Sequence, residues 1–477
     1  MNFALGLTRM DDLAAALLNA NRVAFVAPAG CGKTHLIAEA VSTYQGNGRQ
    51  LVLTHTHAGV DAIRTRLKKF KADPRRYRIE TIAGWCLRMT SSFPKLSELA
   101  SARPTAEEWE TVYAAAALLL KSSAIRSVVA ESYDGLWVDE YQDCTMAQHA
   151  VVMLLAEIVP CRILGDPLQA IFSFGETVNW DRDVVPNVDS QFEGTTPWRW
   201  LDSNAALGTW LQGVRSSLLA GQDIDLRRAP VSWKSLGAGN AQQAQLAICR
   251  DVGNRAGSVI AIHKWPQQGH ALAQRLNGMY TSIEEAECIA LLKAAAAIDA
   301  SSGFMRAVAL MDFACECLTK VGADLATTKA AFRQERFPHG RRTDIAQQVE
   351  VCCELARQGG FDQVLDCLGC LGEHPHSVLY RRELFDEMNR AVRAVIGGKC
   401  TTLVDAAWAI RDRTRHVGRR LGLRTVSTTL RVKGLEFAHA VVLDPAALDM
   451  KNLYVAMTRG ATSLTVVSAR PILHPAV

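Results

Sequence analysis

An apolar strand pattern, Arg22–Ala27, runs straight into Ala27-Pro-Ala-Gly-Cys-Gly-Lys-Thr34, and a helical pattern, Thr34–Tyr44, starts where that loop ends. Strand, glycine loop and helix in this order constrain the chain more than any other feature. Gly30 and Gly32 let the backbone curl so that its N–H groups can face phosphate oxygens, and the helix N-terminus adds a favourable dipole. Lys33 is placed to reach the outer phosphates and Thr34 to ligate Mg²⁺. Ala27 stands where such loops usually carry glycine. The expected nucleotide loop is therefore Ala27, Pro28, Ala29, Gly30, Cys31, Gly32, Lys33 and Thr34, with His35 on the first helical turn.

Further strand-like runs, Leu51–Thr54, Leu136–Asp139 and Arg162–Leu164, alternate with helical stretches. Such alternation predicts a parallel, doubly wound α/β sheet with ligand groups at the carboxyl ends of its strands. From about 281 to 399 the chain turns helical. Strand patterns at Ser258–His263, Ala440–Leu443 and Leu464–Val467 flank that block, so a second α/β unit is expected.

The strand ends carry the chemistry. Leu136-Trp-Val-Asp-Glu140 places two carboxylates after an apolar strand. Asp139 can hold Mg²⁺, and Glu140 can orient or deprotonate an attacking water. Gly165-Asp-Pro-Leu-Gln169 follows another strand and offers Gln169 as a γ-phosphate sensor. Phe172 and Phe174 come next, as core residues or as platforms on which bases could stack.

The totals are permissive. Fifty-three basic against 48 acidic residues give a net charge of +5, which allows a polyanionic partner without requiring one. Basic residues cluster at Lys68–Arg78, Arg333–Arg342 and Arg411–Arg424, as solvated faces or as phosphate-tracking ones. Thirteen cysteines with no secretory pattern at the N-terminus suggest free thiols in a reducing cytoplasm. No apolar run reaches membrane-spanning length. Cys352, Cys353, Cys367 and Cys370 are the thiols to weigh as metal ligands, although their spacing does not suit a common zinc ribbon.

With these residues in view, the chain resembles the superfamily 1A helicases of the UvrD/Rep/PcrA type. Asp139-Glu-Tyr-Gln-Asp143 resembles motif II, with Gln142 as coupling residue. Thr54-His-Thr-His-Ala58 resembles motif Ia, Thr81-Ile-Ala-Gly-Trp-Cys86 motif Ib, and Gly165–Phe174 motif III. Trp198-Arg199 stands at the Tyr-Arg of motif IV. Val432-Lys-Gly-Leu-Glu-Phe437 resembles motif V and Leu453-Tyr-Val-Ala-Met-Thr-Arg459 motif VI. The motifs keep family order from residue 27 to 459.

The resemblance implies two RecA-like motor domains, each with a mostly helical insertion. The first would comprise 1–88 and 133–194, with a small insertion at 89–132. The second would comprise 195–298 and 396–477, with a reduced insertion at 299–395. It further implies that Arg199 and Arg459 come from the second α/β unit as arginine fingers. Trp198 would stack on adenine, Glu436 would hold the ribose, and Gly434 would line the nucleotide site. His55, Thr56, Thr81, Phe172 and Phe174 would contact DNA. ATP and Mg²⁺ are the implied ligands. Single-stranded or tailed duplex DNA is the implied partner, and hydrolysis in the interdomain cleft would drive 3′-to-5′ stepping.

Several positions depart from the family pattern. No Gln precedes residue 45 to read adenine, His35 replaces an Arg, His55 a Phe and Leu430 a His, and Gly175-Glu176 replaces Arg-Gly. With its short insertions the chain resembles the UvrD-like helicases of bacterial anti-phage systems such as Gabija, which work beside an OLD-type nuclease. The alternative expectation is a nucleotide-switched regulatory subunit of a nuclease complex with little unwinding.

Overall fold

The computed structural model describes residues 10–99, 104, 108–172, 176–236, 240–285, 288–339, 343–417 and 421–476, with the side chains of 412–417 left aside. The chain divides into two compact units. The first holds Met1–Pro230, Leu448–Thr462 and Ile472–Val477, and the second Val231–Ala447 and Ser463–Pro471.

The first unit is built on β1 (Arg22–Val26), β2 (Arg49–Thr54), β3 (Tyr77–Thr81), β4 (Tyr133–Val138), β5 (Cys161–Gly165) and β6 (Ser190–Glu193). They form one sheet in the order β3-β2-β4-β5-β1-β6, with every pair parallel. Side chains alternate between faces along each strand, and here both faces are buried. Ala24, Leu51, Leu53, Leu136, Val138 and Ile163 enter one apolar cluster. Val23, Phe25, Val52, Trp137 and Leu164 enter the other. Helices therefore cover both sides, as expected of a parallel sheet. A short antiparallel pair, β7 (Ile224–Asp225) with β14 (Ile472–Leu473), completes this unit.

Helices Trp109–Leu119 and Ser123–Ser132 lie in the expected insertion. They bury Val112, Ala116, Leu119, Ile125 and Val129 in the same cluster as β2 and β4, so the insertion is part of this core. Among the described residues no single helix is long and apolar enough to cross a membrane.

The second unit holds β8 (Ser232–Ser235), β9 (Val259–Ile262), β10 (Thr281–Ser282), β11 (Arg424–Ser427), β12 (Phe437–Leu443) and β13 (Gly460–Ser468) in the order β10-β11-β9-β12-β13-β8. Val259, Ala261, Val426, Val441, Leu443 and Val467 form its sheet core. Between β10 and β11 lies the helical block expected from the sequence, closed by Leu310, Phe313, Phe332, Leu355, Leu371 and Met388. Both units are thus α/β, and the expected class holds.

Cys352 and Cys367 bury their thiols 3.5 Å apart in that block. Arg411 is 1% exposed and bonds Glu387 at 2.7 Å, so it belongs to the core and not to a phosphate-tracking face. In the first basic cluster, Arg75 pairs with Asp73, Arg78 pairs with Glu80, and Arg76 bonds the carbonyl of Gly46. Arg341, Arg342, Arg419 and Arg420 lie outside the described residues.

Candidate nucleotide site

The parallel order places the ends of β4, β5 and β1 side by side, and each end carries a polar segment. The loop after β1 turns through Gly30 at φ +71° and Gly32 at φ +88°, left-handed values that favour glycine. Space demands glycine too. A Cβ on Gly30 would stand 2.5 Å from the Trp200 ring, and one on Gly32 2.5 Å from Met10 Cε. Helix Lys33–Thr43 starts directly after. Its free N–H groups and dipole suit an anion.

Lys33 is 7% exposed and folds back to donate to the carbonyl of Ala27 at 2.7 Å. Burial pushes the Cys31 thiol up to about 11, so it stays protonated at neutral pH. His35 meets the Phe70 ring edge-on, and burial together with Arg66 lowers its pKa.

Thr34 and Asp139 meet across the loop, Oγ1 donating to Oδ2 at 3.3 Å. Asp139 is 4% exposed. Burial, reinforced by the neighbouring Glu140 charge, raises its pKa well above the usual carboxylate range, against the opposing pull of Lys33. A buried carboxylate beside a hydroxyl is a donor set that suits a hard cation such as Mg²⁺.

Glu140 has φ +55° and ψ +38°, a left-handed backbone uncommon for a non-glycine residue. This strain turns its carboxylate toward Gln142, whose Nε2 donates to it at 2.5 Å. Gln142 Oε1 in turn accepts from the Asp166 N–H at 2.9 Å. Asp166 is fully buried, and its carboxylate accepts from Gln169 Nε2 at 2.8 Å and from Arg215 Nη2 at 2.8 Å. Arg459 Nη2 reaches Gln169 Oε1 at 3.5 Å. A continuous polar chain thus links Glu140, Gln142, Asp166, Gln169 and Arg459, running from the β4 end past the β5 end to just beyond helix Met450–Met457.

Arg199 and Arg459 both fall in the first compact unit, where the sequence pointed to the second. The reason is local anchoring. The Ala29 N–H donates to the Tyr454 hydroxyl at 3.2 Å. Buried Trp200 donates its indole N–H to the Gly460 carbonyl at 2.8 Å. The Arg199 N–H donates to the Gly30 carbonyl at 3.1 Å, and its guanidinium to the Thr458 carbonyl at 2.6 Å. By compactness the first unit accordingly runs on to Pro230. Trp198 is 40% exposed beside Gly32, where a Cβ would lie 3.1 Å from its ring.

Gly434, at φ +77°, and Glu436 lie in the second unit between helix Thr429–Val432 and β12. Thr56 and Thr81 are helix N-caps, each accepting from the N–H three residues on. His55 Nε2 lies 3.4 Å from the Cys144 sulfur. Phe172 is half-buried, and Phe174 lies outside the described residues. Sequence reasoning missed Arg215, Trp200 and Tyr454 as parts of this site. Tyr454 and Trp200 lie in or beside quoted motifs, but their partners, like that of Arg215, are far away in the chain.

Residues 98–179 match the UvrD/REP helicase N-terminal domain family. No curated protein matches the chain. Among solved structures, the Escherichia coli DEAH/RHA helicase HrpB is similar at 14% identity with a TM-score of 0.32, over 57% of this chain. The chain spans 30% of the length of that structure, and a likeness of this size carries no argument. The matched segment contains β4, the Asp139–Asp143 run and β5, so this stretch of the chain is similar to the N-terminal domain of the UvrD/REP helicases.

Proposed function

We propose that the chain is an ATP-driven translocase on single-stranded DNA, moving 3′ to 5′. The observation that carries this is the Thr34–Asp139 contact, joined to the polar chain from Glu140 to Arg459. The loop N–H groups and Lys33 bind the phosphates. Thr34 and Asp139 hold Mg²⁺, which when bound polarises the phosphate oxygens. Glu140 accepts a proton from the attacking water while Gln142 fixes its carboxylate. Arg459, oriented by Gln169 and Thr458, and Arg199 supply positive charge for the departing γ-phosphate. Gln142 and Gln169 share Asp166, so a shift at the phosphate end is felt at the β4 end.

Trp198 stacks on the base. His55, Thr56, Thr81 and Phe172 contact the DNA strand. The second reading is a nucleotide switch governing a nuclease partner in anti-phage defence. It draws on Thr56 and Thr81 already spending their side-chain oxygens as helix caps, and on His55 facing Cys144.

Strand displacement on 3′-tailed and 5′-tailed duplexes tests the proposal. ATP-dependent displacement of the 3′-tailed substrate is expected. Displacement only from a 5′ tail would overturn the polarity, and DNA-stimulated turnover with no displacement or movement would favour the switch.

A further inference from the structure

The helical block of the second unit holds histidine and carboxylate donors that the nucleotide site does not use. Asp324 ends helix Val321–Asp324, and His374 and His376 follow helix Phe361–Gly372. His374 Nε2 and His376 Nδ1 each lie 3.5 Å from Asp324 Oδ2. All three donor atoms fall within 4.8 Å of one another, a grouping not repeated among the described residues. Asp344, in the turn Thr343–Ile345, brings Oδ2 to 3.8 Å from His376 Nδ1. The cluster is sheltered on one side only. The His374 side chain is fully buried, whereas those of His376 and Asp344 are 41% exposed.

A plain ion-pair network is the simplest alternative, but its spacing is poor. Nitrogen–oxygen hydrogen bonds run about 2.7–3.2 Å, shorter than either contact to Asp324. Tetrahedral coordination accounts better for the two 3.5 Å contacts to Asp324, while the 3.8 Å from His376 to Asp344 requires that side chain to draw in as the ion binds. Bonds of about 2.0–2.1 Å to Zn²⁺ put neighbouring donors about 3.3–3.4 Å apart. Two imidazoles with carboxylates also suit a borderline transition metal, whereas Mg²⁺ and Ca²⁺ favour oxygen throughout.

We propose that Asp324, His374 and His376, with Asp344 as fourth ligand, bind a structural divalent transition-metal ion of the zinc class. His374 Nδ1 accepts from the His376 N–H at 3.2 Å. Coordination through Nε2 moves the ring proton to Nδ1, so that contact opens as the metal enters. One long hydrogen bond is a small loss against several metal–ligand bonds. The ion ties a helix end, a short turn and an interhelical loop into one corner of the block.

The test uses the full chain, stripped with a chelator and returned to buffer containing Mg²⁺ so that the Thr34–Asp139 site is not offered to the probe. Titration with Co²⁺ is expected to give one equivalent of tetrahedral visible absorption, which Zn²⁺ displaces. Asp324→Asn and His376→Ala should each weaken binding by about 100-fold or more, on the scale by which even outer-shell changes weaken metal sites. Zn²⁺ should raise the unfolding temperature of the wild type and not of these variants, whose metal-free unfolding should match it. Absence of the band would overturn the proposal, as would wild-type affinity in both variants or a strong near-ultraviolet cobalt–thiolate band.

Discussion

Asp139 offers the sharpest prediction. Its pKa is raised from 3.8 to about 7 by burial, with Glu140 adding to the shift. A raised folded pKa means that folding favours the protonated acid. The resulting loss of stability is absent below about pH 4, grows as pH rises, and is complete above about pH 7. Metal binding needs the carboxylate, so it must expel that proton. With a pKa of about 7, Asp139 is about one-tenth ionised at pH 6 and about nine-tenths at pH 8. Apparent Mg²⁺ affinity at the nucleotide site should therefore rise about tenfold from pH 6 to pH 8. Mg²⁺ titrations of fluorescent ADP-analogue binding would measure this, with Asp139→Asn as the reference that removes the titrating group but keeps the nucleotide's own protonation. The prediction is a pH dependence in the wild type beyond that of Asp139→Asn. Matching pH dependence in the two would refute the reasoning and place an ionised Asp139 throughout this range.

Three substitutions probe the polar chain. Glu140→Gln should keep ATP binding and lower turnover by about 10²–10⁴-fold, the usual worth of a positioned base; single-turnover hydrolysis checks it. Arg459→Ala should slow hydrolysis by on the order of a thousandfold if it acts as a finger, whereas a near-normal rate would show that Arg459 does not act on the γ-phosphate. Arg215→Met strips a 2.8 Å partner from the fully buried Asp166. It should cost about 3–5 kcal/mol of stability, the range for breaking a buried pair, and lower kcat more than it raises KM. Chemical unfolding with parallel kinetics reads both, and a loss under about 1 kcal/mol would mean the pair behaves like a surface one.

The sequence reading reached the strand ends because their residues are local. Glycines, lysine and threonine sit within one loop, and Asp139-Glu140 ends its own apolar strand. Buried strands were legible for the same reason, since Arg22–Val26, Tyr133–Val138 and Cys161–Gly165 are apolar runs. Edge strands were not. Tyr77–Thr81, Ser190–Glu193 and Ser232–Ser235 are short and only partly buried, so no apolar run marks them. The unit that carries Arg199 and Arg459 was also illegible. It depends on Trp200 meeting Gly460 and on Tyr454 meeting Ala29, contacts between residues hundreds of positions apart. Arg215 was hidden likewise, being one arginine in a helix until Asp166 is seen beneath it.

The central claim is that the loop at Ala27–Thr34 drives ATP turnover coupled to DNA. The most direct measurement is steady-state ATP hydrolysis by the wild type and Lys33→Ala, each with and without single-stranded DNA. The account predicts Mg²⁺-dependent turnover that DNA accelerates in the wild type and that Lys33→Ala abolishes. No turnover by the wild type in either condition, or equal turnover by both proteins, would contradict it.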